Sequence, residues 1–327
     1  MNKFSIIIPN WNGQKFLQVC LDSIREQSYK NFEIIIIDNG SIDDSIAFLE
    51  KNYPEVRLIK LPRNIGFSPA VNLGIVAAKN ELIFLLNNDT ELDREFLAEM
   101  SRAVDKYQDA GMYASKMLSF TDRSIIDTCG DRMTWSGRSY KFGEGEKDGE
   151  NYSKSYYTFG ACGGAVVYRK SMLGQIGLFD EDFFAYLEDV DIDFRAQLAG
   201  FKCVFVPDAK VFHIGSATSN RISGFAFRLM IKNHYHLIFK NYPTSKIITN
   251  LHKILYSDLR FFAAAIRYHM VGAYLTGAYQ AISEFPKMIA KRREIQKSKK
   301  VSNKYLDSII EKDFNYKSIL EVFHDRK

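Results

Sequence analysis

Seven carboxylates fall within fourteen residues of this chain: Asp180, Glu181, Asp182, Glu188, Asp189, Asp191 and Asp193, in the stretch FDEDFFAYLEDVDIDFR from Phe179 to Arg195. A solvated acidic face would account for such a run if its neighbours were polar. Instead Phe183, Phe184, Ala185, Tyr186 and Leu187 lead directly into Glu188-Asp189. A carboxylate set against apolar bulk loses hydration, and this raises its proton affinity. A raised pKa is what a general base needs when it must take a proton from a hydroxyl. The stretch as a whole is therefore a candidate for acid–base chemistry, with Arg195 placed to pair with one of its acids and hold the helix.

Three further groups join it. Asp38-Asn39-Gly40-Ser41 puts a carboxylate just beyond an apolar run, where it can accept hydrogen bonds from a nucleobase or a ribose. The same four residues also make good turn and cap chemistry. Asn87-Asn88-Asp89-Thr90 follows the apolar run Leu82 to Leu86. Asp89 is a hard oxygen donor of the kind that holds magnesium or manganese against a diphosphate, with a helix cap as the competing reading. His213, in Val211-Phe-His-Ile-Gly-Ser216, is a candidate second protein ligand for the same cation.

These groups need elements to position them. Phe4–Pro9, Phe32–Ile37, Val56–Lys60 and Leu82–Leu86 are short apolar runs that predict strands. Residues 14–27, 43–51, 69–78 and 93–107 have helical spacing between and after them. Leu17, Cys20, Leu21 and Ile24 form one stripe of the first helix. Strands that are apolar throughout and separated by helices imply a parallel sheet covered on both faces. Ligands bind such sheets beyond the carboxyl ends of their strands, which gathers Asn10, Asp38, Asn39 and Asn87 to Asp89 along one edge. Residues 119–157 read as a polar loop or hairpin excursion. Gly160-Ala-Cys-Gly-Gly-Ala-Val-Val sets small residues before a strand, allowing close backbone approach to a ligand. Phe201–Val206 is another strand.

From about residue 220 the chain reads as wholly helical. In 247–266, Ile247, Ile248, Leu251, Ile254, Leu255, Leu259, Phe262 and Ile266 keep a helical period. Residues 261–283 carry one formal charge, Arg267, but are too polar and Gly-interrupted for a spanning helix. A helix in the membrane interface, or docked on the domain, fits better. Lys287 to Lys300 holds seven cations against Glu294, either as a solvated segment or as a contact for anionic lipid.

Composition adds exclusions. The 327 residues are 46% hydrophobic and 25% charged, with formal net charge +5. That is ordinary for a globular protein and no argument for nucleic acid. The four cysteines form no CxxC pair, which fits a reducing compartment. The first residues show neither a basic leader nor a cleavage site, so a cytoplasmic location is expected. Neither GxxxxGK[ST] nor GxGxxG is present, and there is no early Gly-rich loop with a lysine. This disfavours kinases, dehydrogenases and nucleotidyltransferases.

Together the motifs resemble the inverting glycosyltransferases of family 2. The resemblance rests on Ser5-Ile-Ile-Ile-Pro-Asn-Trp-Asn-Gly, Leu17 to Leu21, Ile37-Asp-Asn-Gly-Ser41, Arg63-Asn-Ile-Gly-Phe67 with Asn72, and Leu86-Asn-Asn-Asp-Thr90. It continues through Gly160 to Lys170, Glu188-Asp189 with Asp191 and Arg195, and His213. It covers about residues 3–216 and is nearest the bacterial rhamnosyltransferase-like branch that builds O-antigen, capsule and other cell-wall glycans.

The resemblance implies an α/β GT-A fold, a Rossmann-like mixed sheet flanked by helices. Residues 1–220 would be the catalytic domain and 221–327 a helical region for membrane or acceptor association. Pro9, Asn10, Asp38, Asn39, Arg63, Asn64, Asn72, Asn87, Asn88, Gly163 and Gly164 would line the nucleotide-sugar pocket, with Asp38 reading a pyrimidine base. Asp89 and His213 would hold Mg2+ or Mn2+. The family usually has DxD at this place, and Asn87 stands at its first position, leaving Asp89 as the triplet's only carboxylate. Asp189 would be the catalytic base, with Glu188 and Asp191 as supporting acids or rivals. The implied donor is dTDP-rhamnose, with uridine diphosphate sugars as the alternative. The implied acceptor is a lipid-linked glycan or polysaccharide, met by a peripheral enzyme on the anionic inner face of the cell membrane. A non-catalytic glycan-binding scaffold is the reading from another class, and Asp89, Asp189 and His213 argue against it.

Overall fold

The computed structural model describes residues 2–215 and 223–312. Ser216 of the histidine motif, the expected boundary at 220/221 and the chain after 312 lie outside the described residues. In chain order the elements are β1 (Phe4–Asn10), α1 (Gln14–Arg25), β2 (Phe32–Asp38), α2 (Ser45–Asn52), β3 (Arg57–Lys60), α3 (Phe67–Ala77), β4 (Leu82–Leu86), β5 (Thr90–Leu92) and α4 (Phe96–Lys106). Then come β6 (Ala110–Ser119), β7 (Ile126–Thr128), β8 (Asp131–Met133), β9 (Ser139–Lys141), β10 (Tyr157–Thr158), β11 (Ala165–Arg169), α5 (Lys170–Ile176), α6 (Glu188–Leu198) and β12 (Lys202–His213). The helices α7 (Gly224–Asn241), α8 (Thr244–Arg267), α9 (Val271–Ser283), α10 (Phe285–Lys297) and α11 (Asn303–Ile309) follow.

The main sheet has the order β10-β12-β6-β11-β4-β1-β2-β3, with β5 on β12 and β7 on β6. β1 to β4 are parallel neighbours, as their unbroken apolar runs require. β11 runs antiparallel between β4 and β6, and β12 runs parallel to β6. The sheet is thus mixed and flanked by helices. One face packs on α1 and α4 through Leu17, Leu21, Ile24, Phe96 and Met100. The other packs on α3, α5 and α6 through Val71, Ile75, Met172 and Ile192.

Three elements depart from the sequence expectation. β6 is buried at nearly every position, so no alternation announced it. β12 runs past Val206, through a bulge, to His213, placing the histidine on a strand and not after a loop. The apolar run 261–283 is broken after Arg267, where His269 takes φ +57°, so it forms parts of two helices. No helix among the described residues is long and apolar enough to cross a membrane.

Candidate active site

The register of the parallel strands assembles the first half of the site. Asn10 pairs with Asp38 at the carboxyl ends of β1 and β2. Asp38 is fully buried; Asn10 Nδ2 donates to its Oδ1 (3.0 Å) and the Ser41 N–H to its Oδ2 (3.0 Å). Asn88 Nδ2 in turn donates to Asn10 Oδ1 (2.7 Å), tying the loop after β4 to β1. This bond crosses over Gly13, where a β-carbon would lie 2.0 Å from Asn88 Nδ2. Any side chain there would break the link.

Asn39 does not face outward. Its side chain donates to the Gly66 carbonyl (3.0 Å) and accepts from the Ile65 N–H (2.9 Å), so it fixes the loop that carries Arg63 and Asn64. Asn64 accepts from Gly66 N–H (2.9 Å), while Arg63 is exposed. Asn72 is tied elsewhere: its amide donates to the Phe179 carbonyl (2.9 Å) and accepts from the Phe179 N–H (3.0 Å). It clips α3 to the acidic stretch. Pro9, partly buried, stands opposite Ile37.

The antiparallel strands bring the second half to the same edge. β11 pairs Ala165 with Leu86, so Gly163 and Gly164 sit beside the loop 87–89, and the Asn87 N–H donates to the Gly164 carbonyl (2.8 Å). The Gly163 N–H donates to Asp189 Oδ2 (2.9 Å), and the Val190 N–H to Oδ1 (2.8 Å). Two adjacent glycines therefore connect Asp189 to the strand end that bears Asp89. Behind them Gly160 leaves room for Asp193; a β-carbon there would stand 1.9 Å from its Oδ2. Asp193 Oδ2 accepts from the Ala161 N–H (3.1 Å).

The acids of the stretch separate by environment. Asp180 is bound by Lys240 and Lys291, and Asp182 by Lys287 and Lys291. Asp191 is fully buried, accepting from Arg195 Nε (2.9 Å) and Asn241 Nδ2 (2.8 Å) and facing Lys240 Nζ at 2.9 Å. Asp191 is thus locked in a buried ion cluster and is no rival for the base, a correction to the expectation from sequence. Burial, then the nearby Asp189 charge, pushes Glu188 up to about 8. Burial likewise raises Asp131 and Asp193 well above the usual carboxylate range, each further raised by Asp189. Among the seven acids, Glu181 and Asp189 have neither a cation within ion-pair distance nor a sealed setting. Glu181 receives the Asn72 amide at 3.1 Å. Asp189 is held by two backbone donors.

His213, paired with Thr90 across β12 and β5, turns Nε2 toward Asp89 Oδ1 at 3.5 Å. Its Nδ1 lies 3.0 Å from Asp127 Oδ2, and Asp127 is gripped by Lys141 at 2.8 Å. Burial opposes a charge on the ring, but Asp127 and Asp89 outweigh it and raise His213 to about 9. Burial would also raise Asp127, yet Lys141 and His213 overcome this and hold it well below the usual range. No group of three or more ligating side chains suited to a metal occurs among the described residues. The Asp89–His213 pair nevertheless fits a divalent cation, provided that the cation displaces the proton from Nε2. A carboxylate behind Nδ1 orients the ring so that Nε2 faces the second ligand, as in many metal sites, and phosphate oxygens complete such shells. Asp127 and Lys141 were not legible in sequence, since they lie in the excursion 119–157, which has no periodic signal.

Comparison with known proteins bears on the family and the fold. The model of "Glycosyl transferase family 2" matches residues 5–177. The amylovoran biosynthesis glycosyltransferase AmsB of Erwinia amylovora is 26% identical over 212 residues, covering 62% of this chain and 66% of that protein. The N-acetylglucosaminyl-diphospho-decaprenol L-rhamnosyltransferase of Mycobacterium tuberculosis is 25% identical over 245 residues, covering 66% and 77%. The crystal structure of GalNAc-T7 with UDP, GalNAc and Mn2+ superimposes with TM-score 0.60 at 17% identity, over 73% of this chain and 48% of that one. The chain thus spans just under two thirds of the Erwinia protein and about half of GalNAc-T7. With a matched model over more than half its length and a GT-A sheet, the chain belongs to glycosyl transferase family 2.

Proposed function

We propose that this family 2 glycosyltransferase moves a sugar from a nucleoside diphosphate donor to a hydroxyl acceptor in cell-surface glycan synthesis, with inversion and with Asp189 as base. The observation that carries this reading is the Gly163-Gly164 link, which sets Asp189 beside the strand end of Asp89. Asp189 takes the proton of the acceptor hydroxyl while that oxygen attacks the anomeric carbon from the face opposite the diphosphate. The bond to the diphosphate breaks in the same step, which inverts the centre. Holding both partners in line lowers the entropic part of the barrier. Asp89 and His213 are the residues that would hold Mg2+ or Mn2+, which supplies charge neutralisation for the leaving diphosphate. Asn10, Asn88, Asn39 and Asn64 shape the donor pocket. Asp38, fully buried, acts there by bracing Asn10 and the 39–41 turn.

The sugar is rhamnose and the acceptor a lipid-linked glycan, readings supported by the name of the mycobacterial relative; the dTDP carrier rests on the resemblance of the motifs alone. The exposed apolar side of α8 supports contact with a membrane surface: Ile248, Leu251, Leu255, Leu259 and Ile266 lie exposed along it. The test is a donor panel of dTDP-rhamnose, UDP-galactose, UDP-glucose and UDP-N-acetylglucosamine, read as nucleoside diphosphate release with Mg2+, Mn2+ or EDTA. Cation-dependent release from dTDP-rhamnose is expected; release from a UDP-sugar alone overturns the donor assignment. Asp189→Asn should bind nucleotide within about twofold of the parent and retain under 1% of turnover, on the order of the loss general-base removal produces.

A further inference from the structure

Leu187, immediately before Glu188-Asp189, stands at the end of an unusual turn. Phe184, Tyr186 and Leu187 have φ of +62°, +70° and +66°. None is glycine, and this region of conformational space is unfavourable for side chains with a β-carbon. Such a turn persists only where its surroundings over-determine it. Its output is functional geometry, because Leu187 precedes α6 and so fixes how Glu188 and Asp189 enter the site.

The surroundings come from the C-terminal helices. Asn233, on α7 and fully buried, directs Nδ2 at three carbonyls of the turn: Phe183 (3.0 Å), Ala185 (2.9 Å) and Tyr186 (2.7 Å). Lys232, its neighbour, donates to the Asp182 carbonyl. On the opposite side the Phe184 carbonyl accepts from the Phe67 and Ser68 N–H groups that open α3. Carbonyls crowded in one direction repel one another, and an amide nitrogen with two protons is the neutral group that relieves this without bringing a charge. A carboxylate or an alkyl group in its place would leave the carbonyls unmatched.

We infer that Asn233 is a positioning residue for transfer: it holds the 183–187 turn in the shape that aims Asp189, so α7 is part of the catalytic apparatus. This rests on the reading of Asp189 as base. The turn has no other buried side-chain amide among the described hydrogen bonds to those three carbonyls.

The experiment compares Asn233→Ala, Asn233→Asp and Asp189→Asn with the parent, using the donor that turns over in the panel. Asn233→Ala should lower kcat at least tenfold, and Asn233→Asp more, while donor KM moves less than threefold. Hydrogen exchange, which needs no substrate, should speed up at amides 184–191 in Asn233→Ala and stay unchanged over β1, β2 and β4. Adding Tyr186→Gly, which suits positive φ, should restore part of the lost kcat and slow that exchange. A kcat within threefold of the parent, or exchange unchanged at 184–191, overturns the proposal. So does exchange accelerated across the whole chain, which would show a general structural role. If Asp189→Asn keeps substantial turnover, the base assignment fails whatever Asn233 does. If Asp189→Asn is inactive and Asn233→Ala is unaffected, the positioning role alone fails.

Discussion

Glu188 shows how one residue's setting becomes a pH dependence. It is buried, and its carboxyl is raised from an ordinary 4.5 to about 8. Between these values the folded chain keeps the proton and the unfolded chain has lost it. The unfolded state therefore binds fewer protons, and stability falls as pH rises through that window. The slope from this one group approaches about 1.4 kcal/mol per pH unit. Glu188→Gln removes the ionisation and leaves the shape. Its urea midpoint should match the parent near pH 4.5 and exceed it at pH 8; an equal deficit or gain at both pH values would show that Glu188 is not held protonated. The neighbouring Asp189 differs by one position in sequence and by its two backbone donors. That difference is what separates the proposed base, Asp189, from its buried neighbour.

The basic segment illustrates what an element does that its composition does not reveal. Lys287 and Lys291 on α10 turn inward to Asp180 and Asp182, and Arg292 donates to the carbonyls of Phe239 and Tyr242 at the end of α7. Lys287 and Lys291 clamp the acidic stretch, while Arg293, Lys297 and Lys300 of the same segment stay exposed. Lys240 on α7 does the same from within, buried against Asp180 and Asp191. Breaking such a pair strands a buried charge, so Lys240→Met should cost about 3–5 kcal/mol in denaturant unfolding. The proposed lipid contact is the exposed apolar side of α8. Substituting Leu251, Leu255 and Leu259 together by serine should cut sedimentation with phosphatidylglycerol vesicles severalfold and leave nucleotide binding intact. Equal sedimentation would remove α8 from the membrane.

At the scale of the molecule the C-terminal helices share a core with α6 and the β8–β9 hairpin. Met133, Trp135, Phe159, Phe183, Val190 and Phe194 pack with Leu237, Ile238, Tyr242, Ile254, Leu306 and Ile310. Tyr242 meets both Trp135, edge to face at 5.1 Å, and Phe194 at 5.2 Å. A chain ended at residue 220 loses half of this cluster, the lysines that hold Asp180 and Asp182, and the Lys240 and Asn241 contacts of Asp191. Large aromatic and aliphatic side chains left without neighbours cost several kcal/mol together, comparable to the whole stability of a domain. Such a truncation should unfold without a sharp thermal transition, checked by calorimetry. A cooperative transition within a few degrees of the parent would show that the two parts fold separately.

The sequence by itself determined the first half of the site. Unbroken apolar runs separated by helices can only bury both faces as parallel strands, and parallel strands bring Asn10, Asp38 and Asp89 to one edge. Leu82–Leu86 was legible to the residue, and the others within one or two positions at each end. The acids before Arg195 were also visible, because apolar neighbours marked them as unsolvated. Only the tertiary structure decided which acid meets which partner. Asp191 and Asp189 look alike in sequence, but one meets Arg195, Lys240 and Asn241 while the other meets the backbone of Gly163. Asp127, Lys141 and Asn233 reach the site across long stretches of chain, from β7, β9 and α7. No local pattern encodes such partners, since they are set by which surfaces the folded chain brings into contact.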